Sequence, residues 1–240
     1  MNILSIGNSF SQDAQRYLHQ IARAGGQDVL CMNLYIGGCS LERHAENIRT
    51  DARAYGMELN GFASGISVSV REALESRDWD IVTLQQVSNQ SVDYATFQPY
   101  LDELSAYVRR FCPGAEQVLQ ETWAYEAGSQ RLTEELGYTH WEDMYQDIET
   151  AYRKASLDLG GLRIIPAGKA FSEALHNGLT AVHRDTFHAK LGVGRYILGL
   201  TWYKTLCGGD IQANPFRDFD EPVSPAEIAI AKKSADTAKL

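Results

Sequence analysis

Short apolar runs alternate along the chain with longer segments in which apolar residues recur at every third or fourth position. The short runs predict buried strands, and the longer segments predict amphipathic helices. Because helices separate the predicted strands, we expect an α/β protein with a five-stranded parallel sheet in a three-layer α/β/α arrangement. The predicted strands are residues 3–6, 29–35, 81–85, 118–121 and 163–166.

Helical periodicity and end signals predict helices between and after these strands. They cover residues 12–24, a segment from about residue 41, then 68–76, 97–111, 141–159, 169–176, 189–206 and a short stretch after Pro225. Residues 55–65 are rich in glycine without a clear period, so a loop is predicted there, and residues 123–139 are predicted to be an insertion carrying aromatic residues. With no repeat and no flexible linker, residues 1–240 are expected to form one domain, with 222–240 as a C-terminal tail or helix.

Composition narrows the expected partners. The chain has 31 acidic and 22 basic residues, a net charge of −9 and no basic stripe, so nucleic acid is not expected as a partner. No apolar stretch approaches the ~20 residues that span a bilayer, so no membrane partner is expected. The first residues lack the basic segment of a signal peptide, which favours a cytoplasmic protein, or an exported one whose leader is absent from this sequence.

The spacing of the four cysteines does not indicate a disulfide framework or a metal site. Cys31, Cys39, Cys112 and Cys207 lie far apart in the chain, whereas disulfide frameworks and structural zinc sites use closer spacing. Small buried thiols in a reducing compartment are therefore expected, and no cofactor is predicted.

The first candidate for chemistry follows the first predicted strand, where Gly7-Asn8-Ser9 leads directly into a helix. A serine at a helix N-terminus lies where the dipole and the free backbone N–H groups favour negative charge, which suits an alkoxide nucleophile and an oxyanion beside it. Serine is also a common helix N-cap, so this motif alone leaves a catalytic and a structural role open for Ser9.

A second candidate is the polar segment before the last long helix, which contains Asp185 and His188. A serine hydroxyl needs a base to take its proton, and a histidine whose second ring nitrogen contacts a carboxylate can do so. An aspartate three residues before a histidine supplies that contact from one loop. The alternative is a surface histidine beside a helix-capping aspartate.

Two further stretches offer donors for an oxyanion. Gly37-Gly38 follows the second strand, and a glycine lets a backbone N–H approach a ligand closely. The amide side chains of Gln86 and Asn89 follow the third strand, at the carboxyl edge of the sheet where ligands bind in open α/β proteins. Either stretch alone is weak evidence, because turns and solvated loops use the same residues.

Taken in chain order, these motifs resemble those of the SGNH (GDSL-like) hydrolase superfamily, over residues 3 to about 206. Gly7-Asn8-Ser9 is similar to its first motif, Gly38 to its oxyanion glycine, and Asp185-x-x-His188 to its last motif. The likeness is greatest to a bacterial branch whose first motif is Gly-Asn-Ser. It implies the flavodoxin-like SGNH fold and a serine esterase that cleaves a small-acyl ester, such as a carbohydrate O-acetyl ester.

The resemblance also implies roles for individual residues. Ser9 is expected to attack the ester, His188 to act as base and then acid, and Asp185 to orient His188. The backbone N–H groups of Ser9 and Gly38 are expected to hold the oxyanion, together with a side-chain amide.

The sequence departs from the family pattern at two places. Asn8 stands where the family usually has aspartate, which keeps a polar contact and loses a charge. The third motif lacks the usual Gly-x-Asn-Asp. Counting along the strand from Asp80 places the amide donor at Asn89, whereas the Gln-Gln-x-Ser pattern favours Gln86 or Ser88, so Asn89 and Gln86 both stand as candidates.

Two other functions stay open from the sequence. His183, Asp185 and His188 lie within six residues and could form part of a zinc or manganese site of a metal-dependent hydrolase. A non-catalytic binding module could keep the same fold and pocket. Trp123 and Tyr125 could stack on a sugar, although such residues more often belong to the local core.

Overall fold

The computed structural model describes all 240 residues around a seven-stranded sheet with the order β4-β3-β2-β1-β5-β6-β7. Strands β1, β2, β5, β6 and β7 are parallel to one another, and β3 and β4 form a hairpin whose strand β3 pairs antiparallel with β2. The predicted strands are therefore present, in the flavodoxin-like order, but the predicted number of five is wrong. The strands are β1 (Asn2–Gly7), β2 (Leu30–Tyr35), β3 (Tyr55–Leu59), β4 (Phe62–Val68), β5 (Ile81–Leu84), β6 (Glu116–Gln120) and β7 (Arg163–Ile165).

The two additional strands begin in residues 55–65, which were predicted to be a loop, and β4 continues beyond that segment to Val68. Asn60 and Gly61 join them, with φ angles of 52° and 85°. Two successive positive φ angles are those of a type I′ turn, the tight hairpin turn for which Asn-Gly is the preferred sequence. Since nearly every residue of β4 is exposed, the hairpin has no apolar alternation to reveal it. The Asn-Gly pair was the available signal.

Nine α-helices connect and cover the strands. The segment predicted as one helix over residues 12–24 is two helices that are interrupted at Arg16 and Tyr17. None of the helices combines the length and hydropathy needed to cross a membrane. The helices are α1 (Ser9–Gln15), α2 (Leu18–Ala24), α3 (Leu41–Thr50), α4 (Val70–Glu75), α5 (Tyr100–Phe111), α6 (Trp141–Asp158), α7 (Ala167–His176), α8 (Val193–Cys207) and α9 (Pro225–Thr237).

The helices form two groups of mutual contacts, as layers on opposite faces of a sheet do. Helices α3, α4 and α5 contact one another, while α8 contacts α1, α2, α7 and α9. This is the predicted three-layer α/β/α architecture. The parallel strands end at one edge, so the segments that follow β1, β2, β5 and β6 meet there.

Candidate active site

Asn8 organises the first of these segments. Its Oδ1 accepts hydrogen bonds from the Phe10 N–H at 2.9 Å and from Gln85 Nε2 at 2.6 Å, and its Nδ2 donates to the Cys39 carbonyl at 3.0 Å. One buried amide thus caps α1 and joins the ends of three neighbouring strands. Because Asn8 is the N-cap, Ser9 is the first residue of the helix and its hydroxyl is not used for capping.

The Ser9 hydroxyl instead contacts a histidine from the other end of the chain. Its Oγ lies 2.9 Å from His188 Nε2, and His188 Nδ1 lies 2.8 Å from Asp185 Oδ2. Asp185 Oδ1 also accepts from the His188 backbone N–H at 2.9 Å. Burial opposes ionisation of Asp185, but the hydrogen bonds from His188 outweigh it and lower the pKa of the carboxyl below its usual value. The structure therefore brings together the three residues of the predicted triad.

The loop that carries Asp185 and His188 is held by the segment after β6. Trp123 Nε1 donates to the Phe187 carbonyl at 2.7 Å, and the Glu126 N–H donates to the Thr186 carbonyl at 2.8 Å. Thr186 has a φ of 76°, which is costly for a β-branched residue and persists only where the surroundings impose it. The loop conformation is thus fixed by hydrogen bonds to two successive carbonyls, those of Thr186 and Phe187.

A buried aspartate holds the same loop from beneath, and the sequence reasoning missed it. Asp13 of α1 is fully buried and accepts from Arg184 Nη1 at 2.8 and 3.0 Å, from the Ala189 N–H at 3.1 Å and from Arg195 Nε at 2.8 Å. Arg184 and Ala189 flank the Asp185–His188 pair in sequence. The signal was present, because Asp13 lies three residues after Phe10 on the apolar face of the helix.

Beside Ser9 and His188 opens a cavity of about 410 Å³, within the range of small-molecule sites. Gly38 lines it with a φ of 61°, and no hydrogen bond within the chain uses the Gly38 N–H. The lining residues are Asn8, Ser9, Phe10, Tyr35, Gly37, Gly38, Val87, Ser88, Asn89, Tyr125, Arg131, Phe187 and His188. A larger surface groove of about 570 Å³ near the C-terminus has no histidine or carboxylate side chain in its lining.

The candidate amide donors lie in different places. Asn89 is exposed, lines the cavity and makes no side-chain hydrogen bond within the chain. Gln86 is fully buried outside the cavity lining: its Nε2 donates to the Thr96 carbonyl at 2.9 Å, and its Oε1 accepts from the Leu41 N–H at 2.9 Å. Ser88 lines the cavity, and its Oγ lies 2.8 Å from the hydroxyl of Tyr125. Of the two amides, only that of Asn89 is free to reach a bound molecule.

The two aromatic candidates, Trp123 and Tyr125, also differ in their position relative to the cavity. Trp123 is fully buried, stacks on Phe10 with ring centroids 3.9 Å apart, and does not line the cavity. Tyr125 does line it, with an edge-on contact to Phe187 at 5.7 Å between centroids. Trp123 therefore packs beneath the loop, whereas Tyr125, although only 2% exposed, borders the cavity.

The three residues of the metal alternative do not converge on one point. His183 is buried and its Nε2 lies 3.0 Å from the Ala124 carbonyl, while both ring nitrogens of His188 are engaged by Ser9 and Asp185. Burial lowers the pKa of His183 to about 4. No group of three or more His, Cys, Asp or Glu side chains in the protein is arranged to hold a metal ion.

Comparisons with known proteins agree with this fold. The model of the family described as Domain of unknown function (DUF4886) matches residues 2–238. A crystal structure of a DUF4886 family protein from Bacteroides uniformis ATCC 8492 is 33% identical, with a TM-score of 0.91 over 99% of this chain and 94% of that one. A search of curated proteins found no match.

Two further solved structures extend the likeness. A protein from Slackia heliotrinireducens that is named as a candidate SGNH hydrolase is 26% identical, with a TM-score of 0.63 over 86% of this chain and 98% of that one. The family 3 carbohydrate esterase of Clostridium thermocellum is 11% identical, with a TM-score of 0.53 over 87% of this chain and 96% of that one, a likeness of fold alone. The predicted SGNH-hydrolase fold is confirmed.

Proposed function

The chain belongs to the DUF4886 family, and from the geometry of its site we propose that it is a serine esterase that hydrolyses a small-acyl ester through Ser9, His188 and Asp185. The observation that carries the proposal is the continuous contact from Ser9 Oγ to His188 Nε2 at 2.9 Å and from His188 Nδ1 to Asp185 Oδ2 at 2.8 Å, beside an open cavity. A base within hydrogen-bond reach of the nucleophile, itself oriented by a carboxylate, is the arrangement that serine acyl transfer needs.

In the first half of the reaction, Ser9 Oγ attacks the ester carbonyl carbon while His188 Nε2 takes the hydroxyl proton. Asp185 keeps the other ring nitrogen protonated and stabilises the imidazolium that forms. The tetrahedral intermediate collapses when His188 returns the proton to the leaving alcohol, which leaves an acyl group on Ser9. Water then attacks the acyl-enzyme with His188 as base, which releases the acid and restores the serine hydroxyl.

The developing oxyanion needs donors that are already aimed at it. We assign this role to the backbone N–H of Ser9 at the start of α1, the unused N–H of Gly38 and the free amide of Asn89. The helix dipole adds to the first of these donors. Of the candidates named from the sequence, Gln86 drops out of the proposal because both atoms of its amide are bonded elsewhere.

The size and lining of the cavity support a small acyl group on a compact alcohol. Its volume of about 410 Å³ is at the lower end for ligand sites. The rings of Tyr35 and Tyr125 line it beside polar groups, a mixture that suits the apolar faces and hydroxyls of a sugar. An acetylated carbohydrate is therefore the substrate we favour.

The test is hydrolysis of p-nitrophenyl acetate by the wild type, Ser9→Ala and His188→Ala, each with and without EDTA. Both substitutions are expected to lower kcat by roughly 10³-fold or more, with no effect of EDTA. His140→Ala, an exposed histidine outside the cavity, is the matched control. Loss of turnover in EDTA with retained activity in Ser9→Ala would replace the serine mechanism with a metal-dependent one.

The binding-module alternative predicts no turnover at all. It also implies either a long Ser9–His188 distance or a filled site, and neither matches the geometry. A fluorophosphonate, which labels only activated serines, separates the two cases. Covalent labelling of the wild type and its absence in Ser9→Ala would support the esterase, whereas an unlabelled wild type that turns over no ester would support the module.

A further inference from the structure

Arg131 is the one permanently charged side chain that lines the cavity. The other lining residues are neutral or apolar, apart from His188, whose ring nitrogens contact Ser9 and Asp185. The protein as a whole carries a net charge of −9, so its mean field repels anions. The guanidinium of Arg131 therefore places a positive charge in the cavity of Ser9, although the protein as a whole is negatively charged.

The hydrogen-bonding edge of this guanidinium is free. Its carbon lies over the ring of Phe187, 4.2 Å from the ring centroid. An arginine that packs over an aromatic ring in this way can keep its N–H donors available to a ligand. Within the chain, the Arg131 side chain donates no hydrogen bond, and its ion pair with Glu135 is 3.7 Å long between groups that are 42% and 53% exposed. An exposed pair of that length contributes little.

Arg131 also lies within reach of the reacting atoms. The Phe187 ring on which it rests is 3.8 Å from the His188 ring, centroid to centroid, so the guanidinium carbon is at most about 8 Å from the imidazole (4.2 and 3.8 Å in series). This distance allows one small molecule to contact Arg131 while its ester bond lies at Ser9.

We infer that the ester substrate carries a carboxylate, which the edge of the Arg131 guanidinium binds while the ester lies at Ser9. This inference rests on the proposed esterase function and narrows its substrate to acidic molecules, such as an acetylated sugar acid. The planar fork of arginine matches the two oxygens of a carboxylate. The carboxylate takes no part in bond making.

The inference is tested with two acetyl esters that differ only in charge, 4-acetoxybenzoate and 4-acetoxybenzamide, together with their 3-acetoxy isomers. The measured quantity is the ratio of kcat/KM for the carboxylate to kcat/KM for the carboxamide, in the wild type, Arg131→Gln and Arg131→Lys. Arg110→Gln is the matched control, because Arg110 is also an exposed arginine over a phenylalanine ring, 5.3 Å from Phe111, but outside the cavity.

The ratio is expected to exceed one in the wild type for at least one isomer, and to fall about 10-fold or more in Arg131→Gln. A smaller fall is expected in Arg131→Lys, which keeps the charge and loses the fork, and no change in Arg110→Gln. A wild-type ratio near one that Arg131→Gln leaves unchanged overturns the inference, while hydrolysis of the carboxamide still supports the esterase.

A second measurement does not depend on turnover. At millimolar concentration, 4-hydroxybenzoate should raise the Tm of the wild type more than 4-hydroxybenzamide does, because a ligand that binds only the folded state stabilises it. The difference should disappear in Arg131→Gln. If neither ester is hydrolysed and this difference is present, the esterase proposal fails and the anion site stands. If the two compounds shift the Tm equally, the anion site fails.

Discussion

Replacement of Asp13 by asparagine tests whether the ion network beneath the active-site loop holds the triad in place. Asp13 is fully buried and pairs with Arg184 and Arg195, whose side chains are 26% and 13% exposed. Asp13→Asn keeps the size of the side chain and removes its charge. Two largely enclosed guanidinium groups then lose their shared carboxylate, and the new NH₂ group faces donors instead of acceptors.

The structure sets the size of the expected loss. Removal of one partner from a buried ion pair costs about 3–5 kcal/mol. The lower end applies here, since Arg184 is partly exposed and Arg195 keeps its contact with Asp220 at 2.7 Å. A loss of about 3 kcal/mol corresponds to a decrease of about 6–12 °C in Tm for a chain of this size. Because the Arg184 and Ala189 contacts of Asp13 flank Asp185 and His188, kcat of the proposed esterase should also fall, by roughly 10-fold or more.

Thermal unfolding followed by circular dichroism gives the Tm, and p-nitrophenyl acetate hydrolysis well below that Tm gives kcat. Asp28→Asn, an exposed aspartate without an ion pair, is the control that makes the same charge change. A double-mutant cycle with Arg184→Met should show that removal of Arg184 costs less once Asp13 is gone. A Tm within about 2 °C of the wild type, with kcat within twofold, would refute the role assigned to Asp13.

Two predictions concern other buried polar groups, both measured by thermal unfolding. Asn8→Asp should lower the Tm at neutral pH, because a carboxylate oxygen would replace the NH₂ group that lies 3.0 Å from the Cys39 carbonyl. The decrease in Tm should be smaller in acid, where the new carboxyl is protonated. An unchanged Tm at pH 7 would contradict this account. Burial raises the pKa of Glu121 to about 8, so the folded wild type should lose stability as pH rises from about 5 to 8. The difference in Tm between Glu121→Gln and the wild type should therefore grow over this range and level off above it. The exposed control Glu142→Gln should show no such trend. A Tm difference for Glu121→Gln that does not change with pH would contradict the prediction.

Much of the fold was predictable because its parallel strands are buried on both faces. The apolar runs at residues 3–6 and 81–85 mark β1 and β5 directly, and every residue of β5 is buried. The hairpin of β3 and β4 was not predicted, because solvent covers most of it and exposed residues carry no period. The break between α1 and α2 was also missed, since Arg16 and Tyr17 are held by tertiary contacts: Arg16 Nε donates to Asp220, and the Tyr17 hydroxyl donates to the Leu191 carbonyl.

In the candidate site, too, some features could be predicted from the sequence and others depend on tertiary contacts. The proximity of Ser9, Asp185 and His188 could be expected from the sequence, because a nucleophile, its base and an orienting carboxylate need particular residue types and the resemblance to SGNH hydrolases gives their places in the chain. The place of Asp13 on the apolar face of α1 indicates burial, but the role of Asp13 could not be predicted, because its partners lie more than 170 positions away and are known only once the chain has folded. The choice between Gln86 and Asn89 likewise depended on which amide the fold had already used.

The hairpin also contributes to the candidate site, because hydrogen bonds connect Glu58 of β3 to the turn that carries Ser9. Asn33 Nδ2 donates to Glu58 Oε2 at 2.8 Å, Ser11 Oγ donates to Asn33 Oδ1 at 2.7 Å, and the Asn8 N–H donates to Ser11 Oγ at 3.1 Å. A buried network that is fully satisfied selects one arrangement of its members, since any other leaves a polar group unpaired. The hairpin therefore fixes the start of α1 from one side, as Asp13 fixes the loop of His188 from the other, and the 2.9 Å contact between Ser9 and His188 depends on both.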